Sequence, residues 1–346
     1  MPMLFLDRQL QGDDFMISDT LKTYLAEYCQ CGDYRPEFRR RSHLFVPLNK
    51  EHFLAKIGRG EIDADTFIFD LEDSVPAAYK PVARASIALL PPKPRHVEYN
   101  VRINSGDPEQ VELDIPAIAN APFDSVTLAK GESGEGVLGL MRRIGEDKAY
   151  AISIETIRGL KAVDEIAAVL RPGRDALGFG VGDMSTDLGV ERMSTCENPL
   201  FQQIMGMISI AAKRYGLDVL DSVSARFNDP ENARKEAQLA YRCFGYTGKK
   251  LINPKQLDVI NTVFSPAHAE IANHLETLET FLNASQSNAR VVGGEYKGLP
   301  AFLTAERQVK RYLRQGYLTL AALHTKPDAP ARQSVSRNGA AGSVHH

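Results

Sequence analysis

Glu155 closes the apolar run Ala-Ile-Ser-Ile-Glu, and Asp183 follows Gly-Phe-Gly-Val-Gly. If the two runs are neighbouring parallel strands, their ends lie about 4.8 Å apart and the carboxylates can share one cation. Two carboxylates, with the rest of the shell left to water and substrate, suit Mg²⁺. Either acid alone could equally cap a helix or pair with an arginine, so the pair is the informative feature. Arg102, in Asn-Val-Arg-Ile-Asn, and Lys130 end two further runs. A guanidinium placed there can grip a carboxylate through two parallel hydrogen bonds or stabilise a developing enolate; it can also simply neutralise acids around it. The segment Asp70-Leu-Glu-Asp73 is a dense acidic stretch at another such end. Asp70 and Glu72 share one face of an extended chain, so one of them can point inward towards metal-bound water, with a solvated surface patch as the plain alternative.

Other motifs carry less. The histidines His43, His52, His96, His268 and His274 show neither HxxxH nor HxH spacing, which argues against zinc. Gly178-Phe-Gly-Val-Gly182 is not GxGxxG, and no acid follows a second strand about 20 residues on, so a dinucleotide site is not expected. These glycines, Gly182 among them, let the loop approach a metal and its ligand closely. Gly245-Tyr-Thr-Gly-Lys-Lys lacks both the first glycine and the final hydroxyl residue of a phosphate-binding loop. The cysteines Cys29, Cys31, Cys196 and Cys243 form no CxxC pair and no disulfide framework, which favours a reducing cytoplasm.

The elements that must position these groups follow from the apolar pattern. Eight short runs end in or near polar residues: Leu44–Pro47, Phe67–Asp70, His96–Ile103, Ser125–Ala129, Ala149–Glu155, Ala176–Gly180, Asp218–Val223 and Gly245–Ile252. Most are separated by enough chain for a helix, and strand–helix repeated about eight times predicts an α/β fold, a (β/α)8 TIM barrel. Such barrels carry their active sites at the carboxyl ends of the strands, where Asp70, Glu72, Asp73, Arg102, Asn104, Lys130, Glu155, Asp183 and Asp221 all fall. The barrel is expected over residues 41–264, after an N-terminal extension (1–40) with a short amphipathic helix at Asp19–Gln30. A C-terminal helical segment (265–323) follows, with helices at Ala267–Leu282 and Pro300–Gln315 around a polar loop, Asn283–Gly298. A Pro-, Ala- and Ser-rich tail (324–346) reads as disordered.

Of 346 residues, 43% are hydrophobic and 25% charged, enough for a large core, and the net charge of −3 implies no polyanion partner. No basic stripe with interleaved aromatics suggests nucleic acid, and no window reaches the roughly 18 apolar residues of a membrane span. The first 20 residues carry Asp7, Arg8, Asp13 and Asp14 and do not read as a signal peptide.

The residues above, in this order, resemble the citrate lyase β-subunit-like branch of the HpcH/HpaI aldolase family. The resemblance runs through Arg41-Ser-His-Leu-Phe-Val-Pro47, Phe69-Asp-Leu-Glu-Asp-Ser-Val75, Val101-Arg-Ile-Asn104, Ile154-Glu-Thr156, Gly178 to Asp183 with Thr186-Asp-Leu-Gly189, and Gly245 to Gln256, closing with Phe264-Ser-Pro266. It implies a (β/α)8 barrel that uses Mg²⁺ to make or break a carbon–carbon bond next to a carbonyl, on a small keto- or hydroxy-acid or its CoA thioester. By the same resemblance Glu155 and Asp183 are the metal ligands, and Arg102 binds the acid or stabilises its enolate. Glu72 and Asp73 belong to the acidic shell that orients water or exchanges a proton. From their own positions at the strand ends, Lys130 and Gly182 are expected to face the substrate, with Lys130 open to the same neutralising role as Arg102. A homo-oligomer is expected, as is common in the family.

Three departures bear on acyl-CoA use rather than on the metal pair. Asn253-Pro-Lys-Gln stands where relatives have His-Pro-x-Gln; Glu295-Tyr-Lys-Gly-Leu-Pro300 lacks the aspartate of a relative's lid; and the first 40 residues are extra. Two other readings stay open, a thioester hydrolase on the same site and a non-catalytic barrel that serves assembly.

Overall fold

Side chains that accept a backbone N–H mark where the helices between the apolar runs begin. Asp107, Ser133, Thr156, Asn198 and Asp229 each cap one, and a proline in the first turn follows three of them, Asp107, Asn198 and Asp229. The computed structural model describes residues 15–31, 38–283, 289–292 and 295–326. Its strands, in chain order, are β1 (Phe15–Ile17), β2 (Ser42–Pro47), β3 (Thr66–Asp70), β4 (Glu98–Ile103), β5 (Ser125–Leu128), β6 (Ala149–Ile154), β7 (Ala176–Phe179), β8 (Asp218–Asp221), β9 (Gly248–Leu251), β10 (Ala289–Val292), β11 (Glu295–Gly298) and β12 (Leu323–Thr325). Strands β2 to β9 pair in parallel, each with the next, and β9 returns to β2 to close the barrel. All eight expected runs are present, and the chain is a (β/α)8 barrel.

Parallel strands buried on both faces need near-continuous apolar sequence. Phe67, Ile68 and Phe69 on β3 and Ile152 and Ile154 on β6 meet that need, and all of these but Ile68 join one core with the inner faces of the helices. The segment after β6 forms two helices, Ile157–Lys161 and Val163–Ala168, because the Ala162 amide turns back onto the Arg158 and Leu160 carbonyls. The stretch Ala77–Leu89 is likewise broken into short 3₁₀ and α segments; Ser86 Oγ donates to the Val82 carbonyl there, a bond that competes with regular helix.

The amino ends of the strands close over an ion pair. Arg40, just before β2, donates from Nε (3.0 Å) and Nη2 (2.8 Å) to Glu98 at the start of β4, and Thr66 Oγ1 donates to the same carboxylate. Arg40 adopts a left-handed φ of 57° to do so.

The described chain divides into two compact units: the barrel, 37–266, and a second built from the two flanks of the sequence. In the second unit β1 pairs in parallel with β12, and the helix Asp19–Gln30 lies on the helix His268–Leu282. Leu21 and Leu25 are buried with Ile271, Leu275, Leu278, Val309 and Tyr312. Where the sequence reads as a polar loop, β10 and β11 form an antiparallel hairpin that runs into the helix Leu299–Arg314. The tail expected to be disordered from 324 starts later, since His324 and Thr325 are held in β12 by pairing with β1; residues beyond 326 lie outside the described residues.

Candidate active site

At the carboxyl ends of the barrel strands a pocket of about 540 Å³ is lined by Phe45, Asp73, Arg102, Glu155, Phe179, Gly182, Asp183, Ser222 and Lys250, among others. Arg102 is locked in it. Its Nε and Nη2 donate to the two oxygens of Asp70 (2.7 and 2.6 Å), Nη1 lies 2.8 Å from Glu72 Oε2, and its guanidinium carbon sits 4.6 Å from the centre of the Phe45 ring. Burial works against the Asp70 charge, but Arg102 and two donated bonds hold its carboxyl below the usual range. Glu72 is raised instead: burial outweighs Arg102 and Lys130, and Asp73 adds repulsion. The Arg102–Glu72 contact is a close approach of charges without the alignment of a hydrogen bond.

Lys130 stands just past β5 with φ at 51°, a left-handed conformation that costs a non-glycine residue strain. The turn aims its backbone N–H at Glu155 Oε1 (2.7 Å) and its amine at Glu72 Oε1 (2.9 Å), with Asp183 3.6 Å and Asp73 3.9 Å away. Glu155 is 4% exposed. Burial pushes its carboxyl up to about 7; Lys250 and Arg102 pull it down, and Glu72 and Asp183 push it further up. It is a buried carboxylate whose charge the protein leaves incompletely offset. Gly180 makes this position possible, since a Cβ there would overlap the Glu155 carboxylate.

Asp183 lies in the first turn of the helix Val181–Leu188, where negative charge is favoured, and its side chain is 40% exposed to the pocket mouth. The helix has no side-chain cap of its own; Ser222, at the end of β8, accepts the Val181 N–H at 2.9 Å. Among the described residues no three or more His, Cys, Asp or Glu side chains gather as a metal cage. Glu155 and Asp183 are an all-oxygen pair, one buried and under-compensated and one facing solvent, which fits a hard divalent cation that takes its remaining ligands from water and substrate.

Every residue the sequence nominated for the site is therefore at this mouth or one ion pair from it. Two other strand-end groups are not. Asp221 is fully buried and accepts from Lys249 Nζ (2.6 Å), which also reaches Glu236 (3.2 Å) and the Ser222 carbonyl. Asn104 donates to Asp114 and to the Leu71 carbonyl. Both hold the scaffold, because a polar group buried beside a partner is spent on it. The sequence reading missed Ser222 and Lys250. The alternation of side chains along Gly248-Lys-Lys-Leu251 places Lys249 and Lys250 on opposite faces, and that signal would have found the second.

A closed parallel barrel whose charged pocket lies at its strands' carboxyl ends defines an enzyme of the (β/α)8 class. More narrowly, the chain belongs to the HpcH/HpaI aldolase/citrate lyase family, whose model matches residues 41–254. A (3S)-malyl-CoA thioesterase of Cereibacter sphaeroides is 34% identical over 236 residues, 67% of this chain and 79% of the relative. The citrate lyase subunit beta of Leuconostoc mesenteroides subsp. cremoris is 29% identical over 284 residues, 78% of this chain and 92% of the relative. Among solved structures, the protein CitE from Mycobacterium tuberculosis in complex with magnesium, acetoacetate and coenzyme A superposes with a TM-score of 0.64. It is 27% identical, and the match covers 82% of this chain and 99% of that one.

Proposed function

We propose that this protein is a Mg²⁺-dependent carbon–carbon lyase acting on a small keto- or hydroxy-acid or its CoA thioester. The observation that carries this reading is the convergence of Glu155, Asp183 and Arg102 on one pocket. The family and the magnesium-bound CitE relative support it. Glu155 and Asp183 would hold the ion, which when bound supplies a Lewis acid for the carbonyl next to the scissile bond. Arg102 is already fixed by Asp70 and Glu72, so its charge is in place before negative charge develops on the substrate, and little reorganisation is needed during reaction. Glu72, with its raised carboxyl, and the exposed Asp73 exchange the proton at the carbon released by cleavage. Gly182 lines the substrate's place, Lys130 reaches its edge through Glu72 and Asp183, and Phe45, Phe179 and Val181 keep water from it. We place the protein in a reducing cytoplasm, in keeping with four free cysteines, and as a homo-oligomer.

A second reading, thioester hydrolysis, draws support from the malyl-CoA thioesterase relatives. One experiment separates the two. Incubated with (3S)-malyl-CoA and Mg²⁺, a lyase releases acetyl-CoA and glyoxylate, whereas a hydrolase releases free CoA and malate. Citryl-CoA, assayed in parallel, yields acetyl-CoA and oxaloacetate under the first reading. Binding of these thioesters without any product would leave the non-catalytic barrel.

A further inference from the structure

Arg102, Lys130 and Lys249 each have a carboxylate oxygen within 3 Å. Lys250 does not. It is 5% exposed and lines the pocket, and among the described residues no carboxylate lies within 4.0 Å of its amine. An ammonium carries three donors, and here one is used, on Ser153 Oγ at 2.8 Å. Its place is built for it. A Cβ on Gly178 would come within 3.0 Å of both Cε and Nζ, so the glycine of β7 leaves the room this amine occupies.

A buried cation without a counter-charge is costly unless something completes it. Accordingly burial lowers the Lys250 amine to about 8; Arg102 lowers it further, and the more distant Glu155, Asp221 and Glu72 oppose the fall. The neighbouring Lys249 is equally buried, yet Asp221 and Glu236 hold its amine above the ordinary value against the same burial. One lysine of the pair is thus spent on the scaffold, and the other faces the cavity with donors to spare.

We propose that Lys250 is a substrate-contacting residue that donates to a carboxylate oxygen of the acid bound in the pocket. It thereby selects a ligand with an anionic group at the floor as well as one at the metal pair, which is the chemistry of a short keto-diacid. This rests on the reading that the pocket takes a small acid, and the test keeps the two apart.

Full-length protein is titrated calorimetrically with Mg²⁺ and then with oxaloacetate, as wild type, Lys250→Met and Gly178→Ala, with thermal melts of each. Wild type binding the acid and Lys250→Met binding it roughly ten- to hundredfold more weakly, the range of a charge-assisted hydrogen bond, is the expected result. Mg²⁺ affinity should be kept or tightened, since a nearby cation has gone, and Gly178→Ala should weaken the acid by a smaller factor. Equal affinity of wild type and Lys250→Met overturns the proposal, even if the melting temperature moves, because that is what a purely structural lysine would give. A covalent adduct on the Lys250 peptide after borohydride treatment with pyruvate overturns it too, by making the amine a nucleophile rather than a donor. Failure of wild type itself to bind the acid, with Mg²⁺ present, removes the underlying functional reading and this one with it.

Discussion

At the amino ends of the barrel strands Glu98 accepts from Arg40 twice and from Thr66 once, a buried acid with partners all round. At the carboxyl ends Glu155 receives one backbone N–H from Lys130, stays at about 7, and shares its surroundings with an amine that has one bond for three donors. The same ingredients, acids and bases buried in one barrel, are completed at one end and left incomplete at the other. The difference teaches where this chain spends its charge on holding a shape and where it keeps charge for a ligand. A completed end should answer mutation by losing stability, and an incomplete end by losing binding or turnover.

Glu98→Gln should have the largest effect. It strands the Arg40 charge in the barrel, and breaking a buried pair this way costs about 3–5 kcal/mol, which in a barrel this size lowers Tm by roughly 10 °C. Turnover of the protein that stays folded should be unchanged. The pH profile sharpens the point. Burial opposes the Glu98 charge, yet Arg40 and His43 hold the folded carboxyl below its ordinary value. The unfolded chain therefore binds that proton first, and the contribution of this group to stability is complete above about pH 4.5 and is lost as pH falls through the lower folded value. Melts of the variant should therefore show a shallower acid limb than wild type.

At the other end, Arg102→Gln should lower turnover by roughly a hundred- to a thousandfold, about 2.7–4 kcal/mol of barrier. Because Asp70 is then left without its partner, melts must accompany the kinetics, and turnover is compared at a temperature where both proteins are folded. Turnover equal to wild type would show that Arg102 serves only to balance Asp70. Next in size is Gly180→Ala, whose methyl displaces the Glu155 carboxylate. Mg²⁺ affinity by calorimetry should fall roughly ten- to hundredfold, the usual scale for disturbing a ligand's support. An unchanged affinity would remove Glu155 from the ligand set. The smallest effect belongs to Ser222→Ala, which takes the acceptor from the Val181 N–H and should cost about 1 kcal/mol, seen as a Tm lower by roughly 3 °C.

How much of this the sequence reveals depends on the range over which each property is set. The eight strands follow from local apolar runs, and the placing of Asp183, Glu155 and Arg102 follows from where those runs stop. Which charges are free does not. Asp221 and Asp183 look alike as acids at strand ends, and only the tertiary partners Lys249 and Glu236 separate a structural acid from one at the pocket mouth. Lys250 was legible only through period-two alternation, and Ser222 not at all, since its role is to cap a helix that begins 41 residues earlier in the chain. The hairpin over 289–298 was legible in its Gly293-Gly294 pair between two four-residue stretches, a signal the surrounding polar residues of 283–288 obscured.

Phe15 pairs with Leu323 across almost the whole described length of the chain. Leu21 and Leu25 share a core with residues beyond 270, so the segment before the barrel has no partner until the segment after it exists. During synthesis from the N-terminus the barrel strands can meet one another while Phe15–Gln30 still waits, because a contact of such long sequence separation forms only after its far end has been made. The second unit is thus the last to assemble. Without the strand Leu323–Thr325, β1 would lose its pairing partner and Leu323 would leave the core around Leu21 and Leu25, so the finished unit reports that translation has reached at least Thr325.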